Sequence, residues 1–240
     1  MNTVIILAAG KGLRMKAEVN KQYLVLKDKP IIAHTIEAFQ NSFLIDEIIL
    51  VINQNEQELF KNKILTPFSF DKVSMIVGGG AERQHSVYHG LSVIHDKTDI
   101  VLIHDGARPL ITSDIIERCI EGAKQYGAVS AGVPIKETIK IVAKEGFVQY
   151  TPKREDVWVT QTPQAFQVDI IKQAHEFAKK QGLLGTDDAM LVEYMGKKMK
   201  MVQGDYENIK ITTPEDLIAA EGILNYRRKI QEENQKGESK

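Results

Sequence analysis

Short, mainly apolar runs alternate along the chain with longer stretches whose apolar residues recur at helical spacing. Val4-Leu7, Ile48-Ile52, Val73-Val77, Ile100-His104 and Ala128-Val133 have the length and composition of buried strands. Between them, Ile31-Phe39, Glu56-Lys63, Glu82-Ile94 and Ser113-Tyr126 carry helical patterns. This order predicts an α/β fold, a doubly wound and mostly parallel sheet with helices on both faces. Ligands of such sheets bind beyond the carboxyl ends of the strands. The glycine-containing loop after Leu7 and Asp105 both follow predicted strands, so they are expected on one edge.

The rhythm changes near Lys136. Thr138-Val142 alternates, Lys144-Glu145-Gly146 supplies a turn, and Phe147-Thr151 alternates again, which predicts a β-hairpin. A hairpin inserted into a parallel-sheet protein can leave the body as a protruding arm, here about 136–158, and a second copy of the chain is its natural partner. Thr213-Pro214-Glu215-Asp216 reads as N-cap, first-turn proline and acidic first turn of the last long helix. From Arg227 the apolar periodicity fades. The chain is expected to form one domain through residue 230, with 231–240 as a disordered tail.

Composition narrows the function. The 240 residues are 43% hydrophobic and 26% charged, with a formal net charge of −1. That balance provides no global field for nucleic acid or an anionic membrane, and neither is expected as a partner. A phosphate-binding surface must be local. Cys119 is the sole cysteine, which suits the reducing cytoplasm, and its helical surroundings make it a packing residue. Val4-Ala9 is too short to span a bilayer and has no basic flank before it.

The loop after the first predicted strand reads Ala8-Ala9-Gly10-Lys11-Gly12-Leu13-Arg14-Met15. Two glycines let backbone N–H groups converge into a concave anion site, and Lys11, Arg14 and Lys21 add charge. A tight turn with solvated basic residues satisfies the glycines equally well. Met15 occupies the third glycine position of a dinucleotide fingerprint, and Gly12-Leu13-Arg14 lacks the Gly-Lys-Ser/Thr of a P-loop. His85 and His89 lie four apart, but Ser86 stands where a zinc-protease helix would carry glutamate. Asp187-Asp188 reads as a helix start.

Taken with Lys21-Gln22-Tyr23-Leu24, the loop resembles the nucleotidyltransferase motif of sugar-nucleotide and polyol-nucleotide synthesis. The likeness continues in order through Gly79-Val87, His104-Pro109, Pro134-Lys140, Thr160-Gln164, Thr186-Ala189 and Asn208-Thr212. The set is most similar to the 2-C-methyl-D-erythritol 4-phosphate cytidylyltransferase family of the non-mevalonate isoprenoid pathway. The resemblance implies a Rossmann-like nucleotidyltransferase fold and transfer of CMP from CTP to a polyol phosphate. It implies Arg14 and Lys21 as transition-state clamps, with Lys210 reaching the phosphates. CTP would meet Ala8, Ala9, Gly10, Gly12, Arg14, Lys21, Gly80, Ser86 and Asp105. The polyol phosphate would meet Asp105, Arg108, Thr138, Arg154, Thr162 and Lys210. Asp105 would bind Mg2+ or another divalent cation, and the arm would complete the site of a homodimer partner. Ala81 departs from the pattern, since some relatives carry aspartate there. Two alternatives stay open: a ribitol 5-phosphate cytidylyltransferase, and a nucleotide-binding regulator without turnover. His104-Pro109 and Thr186-Ala189 favour the isoprenoid family over the ribitol one.

Overall fold

A computed structural model describes residues 1–10 and 20–238. The expectations for Lys11, Gly12, Arg14 and Met15 lie outside the described residues. The chain opens with β1 (Asn2–Ala8), continues through a small β2–β3 ribbon (Val25–Leu26 and Lys29–Pro30) and enters α1 (Ile31–Gln40). Next come β4 (Glu47–Ile52), short helical turns including α2 (Gln57–Phe60) and α3 (Thr66–Phe68), and β5 (Val73–Gly78). Helix α4 (Arg83–Ser92), β6 (Ile100–Asp105), α5 (Ser113–Tyr126) and β7 (Ala128–Pro134) follow. Strands β8 (Ile141–Val142) and β9 (Val148–Tyr150) form the hairpin, and β10 (Trp158–Gln167) returns to the main sheet. The chain closes with α6 (Val168–Gln181), α7 (Asp188–Tyr194), β11 (Lys200–Gln203) and α8 (Pro214–Glu238).

The seven-stranded sheet has the order β11-β7-β10-β6-β1-β4-β5. Strand β1 pairs in parallel with both β4 and β6, whereas β10 runs antiparallel between β6 and β7. The chain moves outward from β1 to β4 and β5, then crosses back to β6 on the other side of β1. The switch point of the doubly wound sheet therefore lies between β1 and β6, where a crevice opens beyond the strand ends. Leu7 and Asp105 are register partners there.

Side-chain alternation divides the core between the two faces. Val4, Ile6, Ile48, Leu50 and Leu102 join one buried cluster with residues of α1 and α5. Ile5, Ile49, Val51, Val101 and Ile103 join the other, beneath α4, α6 and α7. Cys119 is fully buried in the first cluster, and burial pushes its thiol up to about 12 despite the nearby Arg118.

The five predicted strands are present, four of them buried as expected while β5 lies half-exposed at the sheet edge, and α5 has its expected bounds. Three features differ. The helix expected over Glu56-Lys63 is broken into 3-10, α and π turns: Asn53 already caps a turn at Gln54, and Pro67 opens a further one. Strand β10 and its partner helix α6 carry no matching expectation. The last helix continues to Glu238, so residues 231–238 are helical rather than a disordered tail. Its exposed end is supported by pairs one turn apart, Arg228 with Glu232 at 2.9 Å and Lys229 with Glu233 at 3.9 Å.

Candidate active site

Asp105 ends β6 at the switch point and is only 8% exposed. Burying a carboxylate is costly unless opposite charge accompanies it. Here three cations do. Lys210 Nζ lies 2.7 Å from Oδ2, Arg83 Nε 3.6 Å from Oδ1 and Arg108 Nε 3.8 Å from Oδ2. Burial opposes ionisation, but Lys210, then Arg83 and Arg108, outweigh it and hold the carboxyl well below the usual carboxylate range. Burial lowers the Arg108 guanidinium more than Asp105 raises it, with Arg83 repelling it as well.

Each cation comes from a different part of the chain. Arg108 lies in the turn that follows β6, closed by the Arg108 N–H donating to the Asp105 carbonyl at 3.0 Å. Its Nη1 donates to the Asn208 carbonyl at 2.8 Å, which ties the turn to the segment before α8. The Ile211 N–H donates to the Ala107 carbonyl at 2.8 Å and sets Lys210 over the carboxylate. Lys21 joins the same segment, since its Nζ donates to the Ile211 carbonyl at 3.2 Å. The segments carrying Lys21, the Asp105–Arg108 turn and Lys210 thus meet although they lie far apart in sequence.

Thr162 is drawn to Asp105 by an irregularity in β10. The register with β7 shifts between Thr160 and Gln164, and the Thr162-Pro163 bond within that stretch is cis. The Asp105 N–H donates to Thr162 Oγ1 at 3.1 Å, and His104 Nδ1 lies 3.1 Å from the same hydroxyl. His104 is fully buried, and burial lowers its pKa to about 3, so the ring is neutral. Its Nε2 lies 3.2 Å from the Arg108 carbonyl, which can only accept; the ring proton therefore sits on Nε2. Nδ1 then accepts from Thr162. The Thr162 hydroxyl proton is committed inside the protein and is not offered to a ligand.

The described residues expected on the nucleotide side line the same edge. Ala8 closes β1, followed by Ala9 and Gly10. A Cβ on Gly79 would lie 2.3 Å from Ala9 Cβ, so glycine is what lets the Gly79-Gly80 turn approach the first loop. The Gly80 N–H donates to Ser86 Oγ at 3.0 Å, and that hydroxyl donates to the Glu82 carbonyl at 3.2 Å. Among the described residues no hydrogen bond reaches the Gly80 carbonyl. Ala81 is exposed beside it.

Thr138 and Arg154 stand apart. Arg154 Nη2 donates to Thr138 Oγ1 at 3.2 Å, and both exposed residues line a cleft at the base of the hairpin with Thr151 and Pro152. Among the described residues no hydrogen bond or ion pair joins them to Asp105 within one chain. The hairpin strands are shorter than their alternation suggests, and they expose Val142, Phe147, Val148 and Tyr150.

Arg83 carries no role in the sequence reading and Asp188 only that of a helix start, yet together they underlie the site. Arg83 Nη1 lies 2.6 Å from Asp188 Oδ2, and the Asp188 Oδ1 atom lies 3.0 Å from the buried His175 Nε2. Arg83 therefore spans Asp105 and Asp188. Burial opposes charge on Asp188, while Arg83 and His175 outweigh it and hold its carboxyl low. Asp187 caps α7 as expected, its Oδ1 accepting from the Met190 N–H at 2.9 Å. Gln164 locks this end in place by accepting from the Asp188 and Ala189 N–H groups. One local cue was available: an arginine in the first turn of a helix opposes the macrodipole, which calls for nearby anions.

A doubly wound sheet whose switch point gathers cations around one carboxylate suits an anionic ligand, and the fold is the Rossmann-like one of the nucleotidyltransferases. The chain belongs to the 2-C-methyl-D-erythritol 4-phosphate cytidylyltransferase family, whose family model matches residues 2–226. It is 53% identical to the protein of that name from Alkaliphilus oremlandii over 226 residues, covering 94% of this chain and 96% of the relative. The protein of that name from Clostridioides difficile is 49% identical over 229 residues, covering 95% and 96%. Among solved structures, the 4-diphosphocytidyl-2C-methyl-D-erythritol synthase of Anaerococcus prevotii superposes with a TM-score of 0.83 at 33% identity, covering 93% of this chain and 98% of that one. The Thermus thermophilus 2-C-methyl-D-erythritol 4-phosphate cytidylyltransferase gives 0.76 at 28%, with 93% and 98% covered.

The Arg83–Asp188–His175 network generates a stability prediction. Asp188→Ala strands a mostly buried guanidinium and a buried imidazole, so it is expected to destabilise the protein by about 3–5 kcal/mol. Thermal unfolding followed by circular dichroism should show Tm lower by roughly 10 °C. A change below about 2 °C would mean that the network contributes little.

Proposed function

We propose that the chain transfers CMP from CTP to 2-C-methyl-D-erythritol 4-phosphate, releasing pyrophosphate and forming 4-diphosphocytidyl-2-C-methyl-D-erythritol for isoprenoid synthesis. The observation that carries this reading is the excess of cations around Asp105 at the switch point, in a chain of this family. A phosphate oxygen of the polyol phosphate attacks the α-phosphorus of CTP. The new P–O bond forms as the bond to the β-phosphate bridging oxygen breaks, and pyrophosphate leaves with that electron pair.

The nucleophile needs no strong base, because a phosphomonoester is largely dianionic at neutral pH. The obstacle is repulsion between two polyanions and the charge that develops on the leaving group. Fixed cations answer both. Lys21 and Lys210, held on adjacent residues of the segment before α8, are assigned to the α-phosphate and the incoming phosphate. Arg14 is assigned to the triphosphate by its place in the family motif. Arg108 and Asp105 orient the polyol side, and Thr162 acts by positioning Asp105 rather than by direct contact.

The triphosphate is assigned to the Ala8-Ala9-Gly10 turn and Gly12, and the cytidine to Gly80 and Ser86. Cytosine presents an amine where uracil presents an oxygen. The Gly80 carbonyl suits that amine and disfavours UTP, while Ser86 holds the turn. This leaves base reading to backbone and accounts for Ala81 being tolerated.

A divalent cation, Mg2+ by preference, fits Asp105. The carboxylate is ionised, and among the described residues Oδ1 has only the long Arg83 contact. No group of three or more His, Cys, Asp or Glu side chains suited to a metal occurs among the described residues. One carboxylate with phosphate oxygens and water is a common magnesium arrangement. When bound, the ion would supply charge neutralisation on the triphosphate.

Thr138 and Arg154 are assigned to the polyol phosphate of a partner subunit. The exposed Phe147 and Tyr150 on the same hairpin supply apolar surface for a second copy. Work in the cytoplasm fits the lone buried thiol, and no described helix is long and apolar enough to cross a membrane.

Two measurements test this reading. With CTP and Mg2+, pyrophosphate release is expected with methylerythritol phosphate and not with ribitol 5-phosphate; the reverse preference would overturn the substrate assignment. Sedimentation equilibrium at assay concentration is expected to return a dimer, and Phe147→Glu with Tyr150→Glu should shift it to monomer. A wild-type monomer would remove the shared site.

A further inference from the structure

Lys21 sits in a short 3-10 turn, Lys21–Tyr23, where a long side chain has no regular helix or strand to steer it. The turn is closed by the Tyr23 N–H donating to the Asn20 carbonyl at 3.0 Å and the Leu24 N–H to the Lys21 carbonyl at 3.1 Å. Both neighbours of Lys21 send their side chains to one carboxylate. Asn20 Nδ2 donates to Glu56 Oε1 at 3.2 Å, and Gln22 Nε2 donates to Glu56 Oε2 at 2.9 Å. The Tyr23 hydroxyl adds a third donor to Oε2 at 3.1 Å. Hydrogen bonds to an ionised acceptor are the strong ones, and three residues around one lysine share this acceptor.

The anchor is itself fixed. Glu56 closes the turn that leaves β4, where Asn53 Oδ1 accepts from the Asn55 N–H at 3.0 Å and the Glu56 N–H donates to the Asn53 carbonyl at 2.9 Å. At the last residue of α2, Phe60 is fully buried and its ring meets Tyr23 edge-on at 6.3 Å. Burial pushes the Tyr23 hydroxyl up to about 12, with Gln22 lowering it and Glu56 raising it, so it stays a donor. Among the described residues, Glu56 makes no hydrogen bond or ion pair with one assigned to CTP or the polyol. Its contacts converge on the segment that carries Lys21.

We propose that Glu56 is a positioning residue for Lys21: by gripping Asn20, Gln22 and Tyr23 it fixes the turn from which the lysine reaches the segment holding Lys210. This rests on the assignment of Lys21 to the transferring phosphate, and the test separates the two. A displaced reactive group loses rate more than affinity.

The experiment is a double-mutant cycle in kcat and in the KM for CTP, using Glu56→Ala, Glu56→Gln, Lys21→Ala and the Glu56→Ala/Lys21→Ala pair. Glu56→Ala is expected to lower kcat by about 10- to 100-fold with KM within about threefold, and Glu56→Gln, which keeps one acceptor, should recover part of the loss. In the Lys21→Ala background the same change should cost less than about twofold. A full additional loss there, or an unchanged kcat in Glu56→Ala, overturns the proposal while leaving the reaction assignment intact. A readout without turnover accompanies the cycle: acetic anhydride labelling of Lys21, followed by peptide mass spectrometry. Labelling should quicken by about threefold or more in Glu56→Ala, with Lys29 as an unaffected reference. Unchanged labelling of Lys21 overturns the proposal even if no substrate pair turns over.

Discussion

The buried carboxylate of Asp105 is the constraint on which the rest of the site depends. An ion removed from water at the end of a strand needs compensation, and one cation beside it would leave a balanced, inert pair. Three surround it, from the first turn of α4, the turn after β6 and the segment before α8. Together they overcompensate. The excess is a standing attraction for phosphate, built where the chain crosses over in the sheet. The same excess would repel itself without Asp105, so the carboxylate also holds together segments that no strand pairing connects.

Two further layers keep that carboxylate in place. A neutral His104 and the Thr162 hydroxyl form a closed chain from the Asp105 N–H to the Arg108 carbonyl. On the other face, Arg83 is held from behind by Asp188 and His175. Arg83 is thus not free to collapse fully onto Asp105, and the contact stays at 3.6 Å. Rigid support of this kind suits a reaction whose demand on the protein is placement of charge rather than proton transfer.

Much of this was legible in the sequence, for reasons that differ by element. Strands β1, β4, β6 and β7 lie in a largely parallel sheet covered on both faces, so they read as compact apolar runs. Strand β10 does not, because Gln161, Thr162 and Gln164 are buried polar residues satisfied by partners distant in sequence. Periodicity cannot see such partners. Asp105 and Lys210 were found through family likeness, and the structure supplies the physical reason that they belong together. Arg83 and Glu56 were not found, since each acts through another side chain rather than on a ligand; Asp188 was read as part of a helix start, and its hold on Arg83 was not visible. Thr162 was expected to contact the polyol, and the proposal that it positions Asp105 instead rests on its hydroxyl bonding to His104 and to the Asp105 N–H.

The proposed role of Asp105 is that it would hold a divalent cation whose charge serves the triphosphate in this cation-rich crevice. Its most direct measurement is the affinity for CTP by isothermal titration calorimetry, with Mg2+ and with EDTA, for the wild type and for Asp105→Asn. Mg2+ is expected to tighten CTP binding by about tenfold or more in the wild type and by less than about twofold in Asp105→Asn. An Asp105→Asn protein that folds normally and keeps the full Mg2+ effect would contradict it.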